Sequence, residues 1–441
     1  MDEIRYKTES LCPICLRKLE AEVYVKDGTV IVSRECEEHG EFDCLHAWDD
    51  PEIFKRFMDI SHKLVENRFN DLTIDVTDRC NMRCPFCFNT AKDEPSLDRI
   101  IEKAKAWENG NIVLYGGEPT MRDDLPELIT ELKSMGFGVI LLSNGLRIDE
   151  KLADKLDNSR LDGIVLQFDS VDDDINERMR GMRVLERKLN AIESLKDGRI
   201  WLSLFVVIMK DTNEDQIPDI INLACKESEL VRTVLFAPVS PEGIEGSERG
   251  HIRNRAIFDK IGEAGITKDD FMENSEFDIS LTKFLSKMGI RRKSITLCEA
   301  LCYVYRVKDH FIPLNHLVDL KAITNALDES DSAMSLAIKL LKYNVKADLR
   351  LLPAIMRVSA RIMRTLVFRV KFDDNIPGMV GILVNPTQTR YNADYNFIRT
   401  CNLYSDTREG ITTYCENNIF STGKKNSEKL EKSHFYQMKT G

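Results

Sequence analysis

Six short runs rich in Val, Ile and Leu recur between residues 72 and 238, separated by longer amphipathic stretches. They are LTIDV (72–76), NIVLY (111–115), GVILL (138–142), GIVLQF (163–168), IWLSLFVVI (200–208) and VRTVLFAP (231–238). Continuous apolar runs of this kind are expected of strands covered on both faces. Between them, DDLPELITELKSMG opens acidic and closes on Gly, and VLERKLNAIESLKDG closes the same way, as helices do. Six strand-then-helix units predict an α/β fold with a parallel sheet and right-handed crossovers. A partial barrel and a doubly wound sheet both satisfy the pattern, and both place chemistry in the loops after the strands.

Those loops are chemically distinctive. The first strand leads into DRCNMRCPFCFN, the second into GGEPT, the third into SNG and the fourth into DS.

Composition narrows the reading. The chain has 441 residues and a formal charge of −11, which argues against a general nucleic-acid binder. MDEIRYKTES lacks a cationic-then-apolar signal, and the longest apolar run, WLSLFVVIM at 201–209, is far short of a bilayer span, so a cytoplasmic location is expected. Twelve cysteines in a reducing compartment point to metal ligation rather than disulfides.

Eleven of the twelve fall into three groups. Cys12, Cys15, Cys36 and Cys44, with His39 nearby, surround a VYVKDGTVIV hairpin with an Asp-Gly turn. That pattern predicts a zinc-ribbon or rubredoxin-like knuckle holding one zinc or iron ion, with Cys44 or His39 as fourth ligand. Cys298, Cys302, Cys401 and Cys415 form the last group; four thiolates are the number that closes around an auxiliary [4Fe–4S] cluster. Cys225 stands apart in IPDIINLACKES and is expected to be a buried apolar residue.

The middle group, Cys80-x3-Cys84-x2-Cys87, supplies three thiolates on one loop. Three ligands on a four-iron cluster leave one metal open to a substrate or cofactor. This spacing at the end of the first strand resembles the radical S-adenosylmethionine (SAM) enzymes, and Phe86 before Cys87 fits their pattern. The resemblance implies a partial (β/α)6 TIM-like barrel. Its [4Fe–4S] cluster would be held by Cys80, Cys84 and Cys87, with SAM bound at the open iron. Reductive cleavage would then give methionine and a 5′-deoxyadenosyl radical. It further implies cofactor contacts from Gly116, Gly117, Glu118 and Pro119, from Ser143 and Asn144, and from Gln167 and Asp169.

Taken together, SLCPIC, CEEHGEF, IDVTDRCNMRCPFCF, YGGEPTMRDDLPEL, LLSNGLRI, VLQFDS and FIPLNHLVDL resemble the archaeal tetraether lipid synthase and 7,8-dihydro-6-hydroxymethylpterin methyltransferase family. That resemblance leads one to expect a cysteine-rich insertion before the triplet, but RFMDISHKLVENRFNDLTIDV has no cysteine. The expected domains are a metal knuckle (1–50), a linker helix (51–70), a radical SAM core (71–285), an α+β auxiliary-cluster domain (286–420) and a polar tail (421–441). The implied partners are a small-molecule or lipid substrate and an electron donor such as ferredoxin or flavodoxin. From Lys339 to Lys371 there are nine basic residues and one acidic. Arg357, Arg361 and Arg364 share a helical face there, which raises peripheral membrane contact as a further expectation. A peptide-modifying maturase and a non-catalytic zinc scaffold are the alternatives.

Overall fold

The structure is a computed structural model describing residues 5–63, 70–87, 94–107, 110–240, 252–290, 296–308, 310–343, 348, 350, 376–386, 388–407 and 410–420. Arg357, Arg361 and Arg364, the tail 421–441, and residues 64–69 of the expected linker helix lie outside them.

The N-terminal strands β1 (Arg5–Leu11), β2 (Lys18–Lys26), β3 (Thr29–Cys36) and β4 (Gly40–Leu45) form an antiparallel meander in chain order. Lys26 pairs with Thr29 across Asp27 and Gly28, both at positive φ (49° and 72°), the geometry that an Asp-Gly hairpin turn requires.

Six parallel strands follow: β5 (Asn70–Thr77), β6 (Gly110–Gly116), β7 (Gly138–Ser143), β8 (Gly163–Gln167), β9 (Trp201–Ile208) and β10 (Val231–Pro238). They lie in sheet order as they lie in sequence. A doubly wound sheet reverses its order at a switch point, and this run has no reversal, so the winding is that of a partial barrel. The apolar runs predicted as strands are these six. Helices Leu125–Ser134 and Leu185–Ser194 fall where the sequence placed them, with Gly136 at φ 90° after the first. Cys225 is buried in helix Ile217–Lys226.

The sheet continues past both ends of the six-strand run. Next to β10 lie β13 (Met379–Val384, parallel), then β11 (Ala300–Val307) and β12 (His310–Pro313), each antiparallel to the strand before it. Next to β5 lies β14 (Leu403–Thr407, parallel), followed by β15 (Gly410–Thr413). Among the described residues the eleven-stranded sheet is open, with β12 and β15 at its edges.

Buried polar contacts fasten the N-terminal meander to this body. Asp394, at the start of helix Tyr395–Ile398, accepts from Tyr6 Oη, from Thr8 Oγ1 (2.6 Å) and from the His46 ring (Nε2–Oδ2 3.3 Å). Arg34 of β3 donates to the carbonyls of Arg390 (3.3 Å) and Tyr391 (2.7 Å). Trp48 stacks on Phe57 and donates Nε1–H to the Leu297 carbonyl (2.7 Å). Buried polar groups with this many partners specify one docking geometry. Among the described residues no helix is long and apolar enough to cross a membrane.

Candidate active site and metal centre

In a parallel sheet all the carboxyl ends meet at one rim, so the loops after β5, β6, β7 and β8 converge there. The loop after β5 carries Cys80, Cys84 and Cys87. Thr77 Oγ1 accepts the Arg79 amide (3.1 Å), Cys80 Sγ the Met82 amide (3.4 Å), and the Cys84 carbonyl the Cys87 amide (3.1 Å). Cys80 and Cys87 are exposed and Cys84 is half-buried, whereas Phe86 is buried against Ile175, Met179 and Val239. Phe86 therefore anchors a loop whose sulfurs remain accessible. Burial raises the Cys80 pKa, and the negative charges of Glu118, Cys84 and Cys87 raise it further. A cationic metal centre would favour the ionised form of such a thiol.

The loop after β6 is bonded to the root of the cysteine loop. Gly117 donates to the Thr77 carbonyl (2.7 Å) and Glu118 to the Arg79 carbonyl (2.8 Å). Both glycines are required. Gly116 sits at φ 144°, where a Cβ would lie 2.5 Å from the Thr77 carbonyl oxygen, and a Cβ on Gly117 would lie 2.3 Å from that of Arg79. Pro119 opens a short 3-10 turn, Pro119–Met121.

Glu118 is 1% exposed, and its carboxylate is fully engaged. Oε1 accepts from the Thr120 amide (3.1 Å), Thr120 Oγ1 (2.6 Å) and Ser143 Oγ (2.8 Å); Oε2 accepts from the Asn144 amide (2.7 Å). Glu118 thus joins the loops after β6 and β7. Asn144 Nδ2 donates in turn to Asn81 Oδ1 (2.7 Å) inside the cysteine loop. Three of the four rim loops form one hydrogen-bonded unit.

The loop after β8 is fixed by charge. Asp169 is fully buried: Oδ2 accepts from Arg180 Nε (2.6 Å) and from Gln167 Nε2, and Oδ1 from the Val207 amide (3.0 Å). Gln167 Oε1 accepts from the buried Lys188 Nζ (2.6 Å). Desolvation pushes the Lys188 pKa down to about 7, the Arg180 charge adds to this, and the Asp169 charge opposes it. The unfolded chain keeps the ordinary lysine value of about 10.4. Below about pH 7 both states are protonated and the burial penalty is full. Between about 7 and 10.4 the unfolded chain holds the extra proton, so stability rises with pH. The melting temperature of Lys188→Met relative to wild type should therefore fall as pH rises from 7 to 10. A difference that does not change with pH would rule out a depressed lysine.

At the other end of the chain, the meander brings Cys12, Cys15, Cys36 and His39 together, their ligand atoms all within 4.8 Å of one another. His39 Nδ1 is 3.4 Å from Cys36 Sγ and 3.6 Å from Cys12 Sγ. Burial pushes the Cys36 thiol up, but hydrogen bonds led by that from His39 outweigh it and bring the pKa down to about 7. Cys44, on β4, packs beside Cys12, Cys36 and Phe42 but is outside the quartet. Three sulfurs and one imidazole nitrogen make a zinc-type donor set. His39→Ala should empty this site and Cys44→Ala should not, as measured by zinc content per chain; the reverse result would make Cys44 the ligand.

The C-terminal cysteines are spread over several elements. Cys298 is buried, with Gln388 Nε2 3.9 Å from its sulfur, and it lies within electrostatic reach of Cys401. Cys302 lies in the main core on β11, Cys401 Sγ donates to the Leu403 carbonyl (3.2 Å), and Cys415 packs near Leu11, Tyr395 and Ile419. Among the described residues only the N-terminal quartet brings three or more Cys, His, Asp or Glu ligand atoms within 4.8 Å.

The sequence reading missed Arg180 and Asn81. Arg180 ends helix Asp173–Arg180, which carries two acids in its first turn and two arginines in its last, the pattern of a solvated surface helix. Asn81 gave no signal apart from its place between Cys80 and Cys84.

Residues 74–224 match the radical SAM superfamily, and residues 4–47 match the N-terminal zinc ribbon domain described as HMPTM. The chain therefore contains a radical SAM domain, of the superfamily that uses a [4Fe–4S] cluster and SAM. Over 369 residues it is 29% identical to the 7,8-dihydro-6-hydroxymethylpterin dimethyltransferase of Methanocaldococcus jannaschii, covering 73% of this chain and 72% of that one. It is 26% identical over 245 residues to a GTP 3′,8-cyclase of Clostridium perfringens, covering 52% of this chain and 74% of that one. Among solved structures, Streptococcus suis SuiB bound to S-adenosylmethionine matches 47% of this chain and 50% of its own, at 17% identity and a TM-score of 0.38.

Proposed function

We propose that the chain is a radical SAM transferase that methylates a pterin-like small molecule, with its cluster held by Cys80, Cys84 and Cys87. The observation that carries this reading is the extent of the likeness to the pterin dimethyltransferase, 73% of the chain. A likeness confined to residues 74–224 would reflect the radical SAM domain alone. When bound, the cluster would supply the electron that cleaves one SAM to methionine and a 5′-deoxyadenosyl radical, and a second SAM would donate the methyl group and leave as S-adenosylhomocysteine. The protein's share is positional. The glycines of the β6 loop let backbone approach the cofactor closely, the Glu118 and Asn144 bonds hold the rim loops in register, and the N-terminal quartet holds a zinc ion that stiffens the meander.

The test is an anaerobic reaction with reductant, methyl-deuterated SAM and 7,8-dihydro-6-hydroxymethylpterin. The expected product is a pterin whose added mass carries the label. Formation of 5′-deoxyadenosine with no labelled pterin would reject the substrate class.

One observation favours a second reading, carbon–carbon coupling of lipid chains. Helix Ala333–Lys342 exposes Met334 (72%), Ile338 (59%) and Leu341 (82%) on one face, with Lys339 and Lys342 in its last turn. An apolar stripe flanked by lysines suits an anionic bilayer surface. Flotation with anionic vesicles that is lost in Ile338→Asp would support it, and absence of flotation would reject it.

A further inference from the structure

We propose that Arg180 is a positioning residue for the iron–sulfur cluster, holding a fixed positive charge against the cysteine loop so that the reduced cluster is favoured. This rests on the reading that Cys80, Cys84 and Cys87 hold that cluster.

Two contacts place the guanidinium. Its Nε donates to Asp169 Oδ2 at 2.6 Å, and its central carbon lies 4.3 Å from the centroid of the Phe86 ring, which sets the charge within electrostatic reach of Cys84. Phe86 and Cys84 belong to the cysteine loop, whereas Asp169 follows β8. Arg180 therefore ties the loop after β5 to the loop after β8, a link that the Glu118 and Asn144 bonds do not make.

The anchor is itself held. Asp169 takes the Val207 amide, its carbonyl takes Asn213 Nδ2 (2.9 Å), and Gln167 beside it is clamped by Lys188. Gly181 closes the helix in the left-handed conformation at φ 77°, so Arg180 leaves a fixed helix end. A guanidinium stays protonated at any working pH, which makes this a permanent charge.

Adding an electron makes a cluster and its thiolates more negative. A buried cation beside the ligand loop stabilises the reduced form more than the oxidised one, and the groups around a cluster are a recognised control of its potential. The Asp169 charge offsets part of this effect, so removing it should strengthen the effect.

The experiment is a reductive titration of the anaerobically reconstituted full-length protein, followed by EPR on the signal that SAM perturbs, with iron content measured in parallel. At a fixed potential Arg180→Gln should lower the reduced-to-oxidised ratio about tenfold, equivalent to about 59 mV for one electron. Arg180→Lys, which keeps the charge but loses the fork, should fall between the two. An unchanged ratio in a fully loaded Arg180→Gln protein overturns the proposal. Where that variant fails to fold or load, Asp169→Asn decides: removing the counter-charge should raise the ratio, and an equal or lower ratio overturns the proposal. Wild-type protein that takes up no iron at the triplet would overturn the cluster reading itself, a different failure.

Discussion

Replacing Cys84 with Ala should reduce 5′-deoxyadenosine formation to background and remove about four iron atoms per chain, while leaving the far-ultraviolet spectrum and the ribbon zinc unchanged. The structure explains why the loss is selective. Cys84 is half-buried on a loop, and the apolar anchor of that loop is its neighbour Phe86. The side chain contributes little to the core, so the substitution forfeits on the order of 1 kcal/mol of packing or less. A cluster reduced to two thiolates loses its hold altogether. The measurement is chromatographic quantification of 5′-deoxyadenosine under excess reductant, with iron and zinc determined on the same sample. Wild-type levels of product, or simultaneous loss of the zinc, would contradict the assignment of these three thiols to a separate catalytic centre. Zinc retained at the ribbon would also show that the two metal centres load independently, as their separation on different sheets implies.

The sequence made some features legible and hid others for physical reasons. The six core strands are visible because each is buried on both faces and so reads as an unbroken apolar run. Their burial in the structure, such as Leu72, Ile74 and Val76 in β5, is the same property seen from inside. The strands that extend the sheet are different. MVGILV in β13 is just as apolar, but its pairing with β10, across more than a hundred residues, has no local signature, because register between distant strands is set by tertiary packing. The N-terminal knuckle was legible because ligand spacing is a local code, whereas the four C-terminal cysteines, split by a gap of about a hundred residues, carry no such code. His39 against Cys44 was undecided because both flank the same hairpin. The structure separates them, since the turn at Cys36–Gly40, where the His39 amide bonds the Cys36 carbonyl at 3.1 Å, brings the imidazole in among the sulfurs. Arg180 and Lys188 stayed hidden because a buried cation on a helix full of charges is indistinguishable in sequence from an exposed one.

Gly117→Ala should nearly abolish SAM binding with only moderate loss of stability. Gly116 sits at a positive φ, but Gly117 does not, so the constraint at Gly117 is one of space rather than backbone preference. An added Cβ would fall 2.3 Å from the Arg79 carbonyl oxygen and 2.8 Å from that of Asp78. These are backbone atoms of the cysteine loop and cannot rotate away. Relief requires the two loops to separate, which breaks the Gly117–Thr77 and Glu118–Arg79 hydrogen bonds. Overpacking costs about 1–3 kcal/mol and each lost bond about 1 kcal/mol, which lowers the melting temperature without unfolding a sheet of eleven strands. The site suffers more than the fold, because a displacement near 1 Å can cost about a hundredfold in a reaction that depends on alignment. Gly136→Ala is the control: its φ is positive, unlike that of Gly117, but nothing lies within 4 Å of the added Cβ, and it lies at the far end of helix Leu125–Ser134, away from the rim. It should cost more than about 1 kcal/mol and leave cofactor affinity untouched. Calorimetric titration of SAM into both reconstituted variants decides the matter. If Gly117→Ala binds SAM as wild type does, the two loops are not in functional contact, and the glycine pair would have to be explained by the turn alone.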